Sequence, residues 1–274
     1  MKRLLFQTAL FILISFILLG VFFYNDATGP ALRRLKIIKT DIVDERIPES
    51  LNQLQILYFS DLHAFYREDP EFMTRIFDEI AQLKPDVILF GGDLIDASVP
   101  SLSETQNQTL IDQWSKLKAP LGCFAVLGED DLSHLDFITS FYASNSCEIL
   151  TNQSTLIRRD SDEAIRLVGL ANPVDSSVYP NDGLFTLSMA YDPSLISSLS
   201  SLQTTWLLAA KTHGGQVTLP LMGSTYSKAT GPYIHGQGLV NGIHLSISNG
   251  LETLETQARF MDDPSLYLYT LRNK

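Results

Sequence analysis

The chain has 274 residues, a formal net charge of −11, and 45% hydrophobic against 19% charged residues. That balance excludes a disordered chain and leaves room for one large domain or two small ones. So acidic a protein lacks the basic footprint that duplex nucleic acid or an anionic lipid surface requires, and no nucleic-acid partner is expected. A phosphate-bearing substrate stays open, because a bound divalent metal reverses the field of an acidic pocket.

In chain order, Met1-Lys2-Arg3 precedes an apolar stretch from Leu4 to Tyr24 that only Gln7, Thr8 and Ser15 interrupt, none of them charged. It is long enough to cross a bilayer core as a helix and longer than the apolar region of a typical signal peptide. No small-x-small cleavage pattern follows, so an uncleaved single-pass anchor is expected, with Asn25 to Pro30 as a polar linker. The expected division is residues 1–30 as anchor and linker and 31–274 as one domain. Orientation stays open, since Lys2 and Arg3 on one side compete with Arg33, Arg34, Lys36 and Lys39 on the other.

Beyond the linker, Leu35 to Val43 alternates in part and predicts a strand, and Leu54 to Phe59 a more buried one. Pro70 to Leu83 has helical apolar spacing with proline in its first turn. Asp86 to Phe90 predicts a buried strand, Leu110 to Leu117 a helix, and Gly122 to Leu127 another buried strand. Further strands are expected near 166–170, 206–210, 244–248 and 266–271. The two cysteines, Cys123 and Cys147, show neither a disulfide framework nor C-x-x-C spacing, and Cys123 is expected to be a buried structural thiol. Early β-α-β alternation followed by a strand-rich half predicts an α/β fold with two packed sheets.

Polar residues fall where these strands end. Asp61-Leu62-His63 follows one, Asp93 the next, Glu129-Asp130-Asp131 a third, and Lys211-Thr212-His213-Gly214-Gly215 a fourth. In open α/β sheets ligands sit at the carboxyl ends of strands, so these groups are expected to converge. A single strand-end aspartate more often caps a helix or closes a turn, but four such clusters together point to a site. Asp and His in combination suit zinc, manganese or iron better than calcium.

With these residues in place, the chain resembles the calcineurin-like metallophosphoesterases, whose motifs run D-x-H, G-D, G-N-H-D/E, a lone His and G-H-x-H. Asp61-Leu62-His63 matches the first and Gly92-Asp93 the second, within Gly91-Gly92-Asp93-Leu94-Ile95-Asp96. The run from Thr212 to Leu221 is similar to the THGGQ-x-x-LP-L of the family's membrane-associated bacterial branch, as are Ser248-Asn249-Gly250-Leu251 and Asp263-Pro264-Ser265-Leu266. The resemblance covers roughly residues 50 to 272. It implies two packed mixed sheets flanked by helices, a four-layer sandwich, here with an N-terminal transmembrane helix and an inner-membrane location. It also implies one metal held by Asp61, His63, Asp93 and His213.

The departures all fall on the second metal of the family's pair. By the resemblance, its Asn is Glu129, its lone His is Tyr191, and the first His of G-H-x-H is Lys211; only the bridging Asp93 survives. The His of G-N-H-D is Asp130, a poor proton donor near neutral pH. Glu129 adds a negative charge and Lys211 a positive one, so Lys211 is expected to border the missing cation's place, paired with Glu129. Two full charges about 4 Å apart interact by roughly 4 kcal/mol at an effective dielectric near 20, and a divalent ion beside that ammonium meets about twice that in repulsion.

The expected cofactor is therefore one divalent metal, manganese, zinc or iron. The resemblance implies hydrolysis of a phosphoester or pyrophosphate by metal-activated water, with Lys211 and Asp130 as altered catalytic positions. Expected partners are the lipid bilayer and a phosphorylated small molecule or nucleotide-linked lipid; certain membrane-associated relatives hydrolyse UDP-diacylglucosamine. The alternative is an inactive, membrane-tethered binding module. His134 is read as a surface helix residue, and His235 and His244 fit no motif position.

Overall fold

The computed structural model describes residues 2–67, 69–200, 203–224, 232–254 and 256–274. It opens with helix α1 (Lys2–Ala27), none of whose side chains is buried. Among the described residues this is the one helix long and apolar enough to cross a bilayer.

The elements that follow are β1 (Lys36–Val43), β2 (Gln55–Phe59), α2 (Pro70–Leu83), β3 (Val87–Phe90), α3 (Glu104–Trp114), β4 (Cys123–Ala125), α4 (Leu135–Ser144) and β5 (Cys147–Ile149). Then come β6 (Gln153–Ile157), β7 (Ile165–Leu170), β8 (Thr186–Ala190), β9 (Trp206–Ala209), the short β10 (Thr218–Leu219) and β11 (Gly223–Ser224), β12 (Gly236–Val240), β13 (Ile243–Ile247) and β14 (Ser265–Arg272).

Two six-stranded sheets result, ordered β1-β14-β2-β3-β4-β5 and β12-β13-β9-β8-β7-β6. In the first, β2 to β5 run parallel and β14 pairs antiparallel with β2. In the second, β7, β8, β9 and β13 run parallel, and the edges β6 and β12 are antiparallel. The chain returns from β13 to β14, so its last strand lies beside its second.

The period-two geometry of strands decides the layers. Ile56 and Tyr58 of β2 face the second sheet, where they pack with Leu167, Met189 and Leu208. Leu57 and Phe59 face the other way, onto Phe72, Ile76 and Phe77 of α2 and Trp114 of α3. The outer face of the second sheet is covered by a 3₁₀ segment, Pro193–Ser198, whose Leu195 and Ile196 are buried against β9 and β13. The mixed α/β class with two packed sheets flanked by helices is as the sequence predicts.

Helix α2 spans the predicted residues, with Asp69 accepting from the Phe72 amide at its N-terminus. Helix α3 departs from expectation. It begins at Glu104 because Ser103 and Gln106 form a capping box, a polar signal that apolar spacing does not carry. The buried-thiol expectation for Cys123 is overturned: β4 and β5 pair in register with Cys123 opposite Cys147, and the two form a disulfide with Cα atoms 4.5 Å apart. Neighbouring parallel strands bring together residues 24 positions apart, which sequence spacing does not show.

Candidate metal centre

Every residue proposed as a metal ligand sits just past a parallel strand, on backbone that an L-residue rarely adopts. Asp61, His63, Asp93 and His213 have φ of 53°, 39°, 57° and 51°, and Lys211 has 73°. Such residues cost of order 1–3 kcal/mol each and persist only where their surroundings over-determine them. Here the Asp61 and His63 amides donate to the carbonyls of Gly92 and Asp93 at 2.9 and 3.1 Å. The fully buried Asp131 carboxylate accepts from the amides of Asp93, Leu94 and Gly128 at 2.8–2.9 Å. A Cβ added to Gly128 would overlap Asp93 Oδ1, so the turn needs glycine there.

Donor atoms of Asp61, His63 and His213 converge within 4.8 Å of one another, all buried. His213 holds its Nδ1 2.7 Å from the Glu252 carbonyl, the geometry of an N–H donating to it, and turns Nε2 toward Asp61 Oδ1 at 3.5 Å. His63 holds its Nδ1 3.1 Å from Asp96 and 3.2 Å from Asp130, and turns Nε2 toward Asp93 Oδ2 at 3.5 Å. That Nε2 is buried and, among the described residues, has no hydrogen-bond partner. Both imidazoles are thus fixed from behind by an oxygen, with the other nitrogen facing shared space, as metal-ligating histidines are.

The electrostatics fit a cation. Burial pushes the Asp61 carboxyl up to about 6 and Asp93 up to about 7, with the His63 charge opposing both. For His63, burial works downward, but hydrogen bonds to Asp130 and Asp96 and the charges of Asp93 and Asp61 raise it to about 10. Without a metal, a proton on His63 supplies the positive charge that the carboxylates require. The donor set, with its orphaned imidazole nitrogen, fits a divalent transition metal.

Tyr191 and Lys211, the residues expected at second-metal positions, each pair with carboxylates beside these ligands. Tyr191 donates its hydroxyl to Asp93 Oδ2 at 2.5 Å. Lys211 donates to Glu129 Oε1 at 2.6 Å and to Asp192 Oδ2 at 2.8 Å. Burial would lower the Lys211 amine, but hydrogen bonds and charges of Asp192 and Glu129 hold it above its ordinary value, so it stays an ammonium. Asp130 lies behind His63 and accepts from the Ala97 amide, on the side away from the space His63 Nε2 faces.

Sequence reasoning assigned no role to Asp96, Asp192, Glu252 or Arg259. The buried Arg259 guanidinium donates to the carbonyls of Asn249, Gly250, Glu252 and Asp262, fixing the loop that holds His213. A Cβ on Gly250 in that loop would meet Asp61 Cβ at 3.0 Å and His213 Nδ1 at 3.2 Å. Asp96 and Asp192 could have been suspected from their places just after Asp93 and Tyr191. Glu252 acts through its backbone, so no side-chain pattern could reveal it. His134 lies in a 3₁₀ turn near the Asp96 carbonyl, His235 faces Asp262, and His244 stacks on Trp206 with ring centroids 4.7 Å apart.

The model of one family, described as calcineurin-like phosphoesterase, matches residues 54–202, more than half of the chain. This chain belongs to that family. The matched range holds Asp61, His63, Asp93, Glu129 and Tyr191, while Lys211 and His213 lie beyond it. An uncharacterized metallophosphoesterase of Bacillus subtilis is 26% identical to this calcineurin-like phosphoesterase over 83% of the chain and 82% of its own length. A transmembrane protein with metallophosphoesterase domain from Danio rerio is 30% identical over 46% of the chain. A UDP-2,3-diacylglucosamine pyrophosphatase of Chlamydia muridarum is 35% identical over 35% of it. The matches span only 26% and 29% of these last two proteins.

Proposed function

We propose that this calcineurin-like phosphoesterase is a membrane-anchored hydrolase of an amphiphilic phosphoester or pyrophosphate that works with one divalent metal. The observation that carries the reading is the convergence of Asp61, His63 and His213 beside Asp93, with His63 Nε2 buried, 3.5 Å from Asp93 Oδ2 and without a hydrogen-bond partner among the described residues. Asp61, His63, Asp93 and His213 would hold the ion, and manganese, zinc or iron bound there supplies an acidified water at neutral pH.

The chain's own residues supply the rest. Glu252, through its carbonyl, and Asp96 with Asp130 keep the two imidazoles oriented. Tyr191 donates to Asp93 Oδ2, the same oxygen that faces His63 Nε2, so its hydroxyl fixes that carboxylate at the edge of the ion's place. Lys211 is held at that end of the site by Glu129 and Asp192. An ammonium has three donors, and two are taken here, which leaves one for a phosphoryl oxygen as negative charge develops on it.

The substrate class is read from what adjoins the ligands. A cavity of about 290 Å³ opens beside His63, lined by Leu62, Phe65, Phe72, Met73, Ile76 and Leu251, with Arg67 and Glu252 among its polar members. It suits the apolar part of a phosphorylated amphiphile better than a free sugar phosphate. Helix α1 would hold the domain at a bilayer, where such substrates reside.

A second reading rests on Asp130. Its position behind His63 leaves that residue without a place to protonate a leaving group, which favours a binding module that keeps the metal. The two part on hydrolysis of a nucleotide-linked diacyl glucosamine by the full chain in detergent with added manganese. The enzyme reading expects turnover that His213→Ala abolishes. Retained metal and substrate binding without turnover would establish the binding module.

A further inference from the structure

The strand pair carrying Leu221 and Met222 lies on the side of the domain where α1 arrives. Among the described residues beyond α1, seven large apolar side chains are exposed: Val43, Leu132, Leu135, Leu221, Met222, Leu239 and Met261. Three of them lie on the β10–β11 hairpin or on the segment bridged to its root. Leu221 is 108% exposed, Met222 78% and Met261 61%. Val217, at the root of the β10–β11 hairpin, bridges to both Phe260 and Met261, and the Thr218 amide donates to the Phe260 carbonyl at 2.9 Å.

Phe260 in turn packs against α1, its ring 5.4 Å from that of Phe23, and the Arg259 amide donates to the Ala27 carbonyl at 2.9 Å. Phe23 belongs to the apolar run Leu4–Tyr24. At about 1.5 Å per residue that run is about 31 Å long, just enough for a hydrocarbon core of about 30 Å. A helix that uses all of this run to cross the bilayer leaves Phe23 at the lipid boundary, and Phe260 and Met261 come to the boundary with it. The aromatic end of the run, Phe22-Phe23-Tyr24, is typical of that depth.

The hairpin tip is shaped against water as well. The Met222 amide donates to the Leu219 carbonyl, closing a turn with Pro220 second and Leu221 third. Leu221 has φ of 69°. A turn with proline second and a left-handed third residue favours glycine or asparagine at that third position. Leucine there combines a left-handed backbone with a fully exposed apolar side chain, and contact with an apolar medium would recover the hydrophobic part of that cost. Arg33, Arg34 and Lys36 follow α1 at the same exit, partly exposed and paired with Asp69, Asp26 and Asp263. They supply the charged rim of an interfacial surface.

We infer that Leu221, Met222, Phe260 and Met261 form a second membrane contact, inserted into the acyl–headgroup boundary beside α1. This rests on the reading of α1 as a membrane anchor. Two contacts instead of one fix the domain's tilt as well as its distance from the bilayer, so the cavity beside His63 keeps a constant relation to the lipid surface.

The test uses the full chain in phosphatidylcholine bilayers containing a lipid with a nitroxide near the headgroup end of its acyl chain, which reads positions 221 and 261, and in parallel bilayers a lipid with the nitroxide near the methyl end, which reads position 13. An environment-sensitive fluorophore is attached at Leu221→Cys, at Met261→Cys as an independent site, and at Leu13→Cys within α1. The unsubstituted chain, labelled in parallel, gives the background. Blue-shifted emission and nitroxide quenching at positions 221 and 261 as well as at 13 are expected. Quenching at 13 with water-like, unquenched emission at 221 and 261 would overturn the second contact while keeping the anchor. No quenching at any of the three would overturn the anchor reading and this surface with it.

Discussion

The Lys211 ammonium stands 2.6 Å from a Glu129 carboxylate oxygen, the pairing expected of two residues read as replacing ligands of a second metal. Asp192, 2.8 Å from the same nitrogen, closes the cluster. The arrangement fixes an ammonium between two carboxylates, and on the proposed reading it stands where a second cation would otherwise bind. Replacing Lys211 by His, Glu129 by Asn and Tyr191 by His together should raise the metal content of the full chain from one toward two. Lys211→Ala alone should admit a second, weaker ion, because Glu129 and Asp192 would then face each other without a counter-charge. Metal analysis after desalting reads both outcomes, and an unchanged content in the triple variant would show that the ammonium does not exclude the second ion.

Metal loading should depend on pH through His63. Its pKa is raised to about 10, so below that value the metal-free imidazole is protonated and a metal must displace the proton. Competition weakens as pH rises, so apparent affinity should increase about tenfold per unit between about pH 7 and 8. Below about 7 and about 6, protons on Asp93 and Asp61 should steepen the dependence further. Manganese titration calorimetry in buffers of different ionisation enthalpy measures the protons released; none released would contradict the charge state assigned to His63.

Arg259 is a positioning residue. Its guanidinium reaches no metal donor atom but fixes the Glu252 carbonyl that holds His213 Nδ1. Loss of a group at that remove typically costs 10–100-fold in metal affinity, so Arg259→Leu should weaken manganese binding by about that much. Arg259→Lys should lose less. If circular dichroism shows a native fold and affinity is unchanged, the loop is held by other contacts.

The disulfide between Cys123 and Cys147 gives a plain chemical expectation. Unfolded without reductant, the purified chain should take up no thiol reagent, and after reduction it should take up two equivalents. By the loop-entropy relation, a cross-link over 24 positions stabilises the fold by about 3 kcal/mol, which Cys147→Ser should forfeit.

Much of this site was legible because strands that feed a parallel sheet end where ligands bind. Asp61, His63, Asp93 and His213 each follow an apolar run that the sequence shows; the structure gathers donor atoms of Asp61, His63 and His213, with Asp93 Oδ2 3.5 Å from His63 Nε2. Helix α2 was equally plain, since its proline start and apolar spacing agree. What stayed hidden depends on register or on backbone groups. The Cys123–Cys147 pairing needs the β4–β5 register, and the Glu252 carbonyl offers no side-chain signature. The place of Asp130 was hidden for a related reason: only the path of the loop sets its carboxylate 3.2 Å from His63 Nδ1.

Metal stoichiometry of the full chain, purified with manganese available and desalted before elemental analysis, tests the central claim most directly. A half-site built on Asp61, His63, Asp93 and His213 predicts one ion per chain, lost on Asp61→Ala or His213→Ala. Two ions per chain, or one that survives both substitutions, would contradict it.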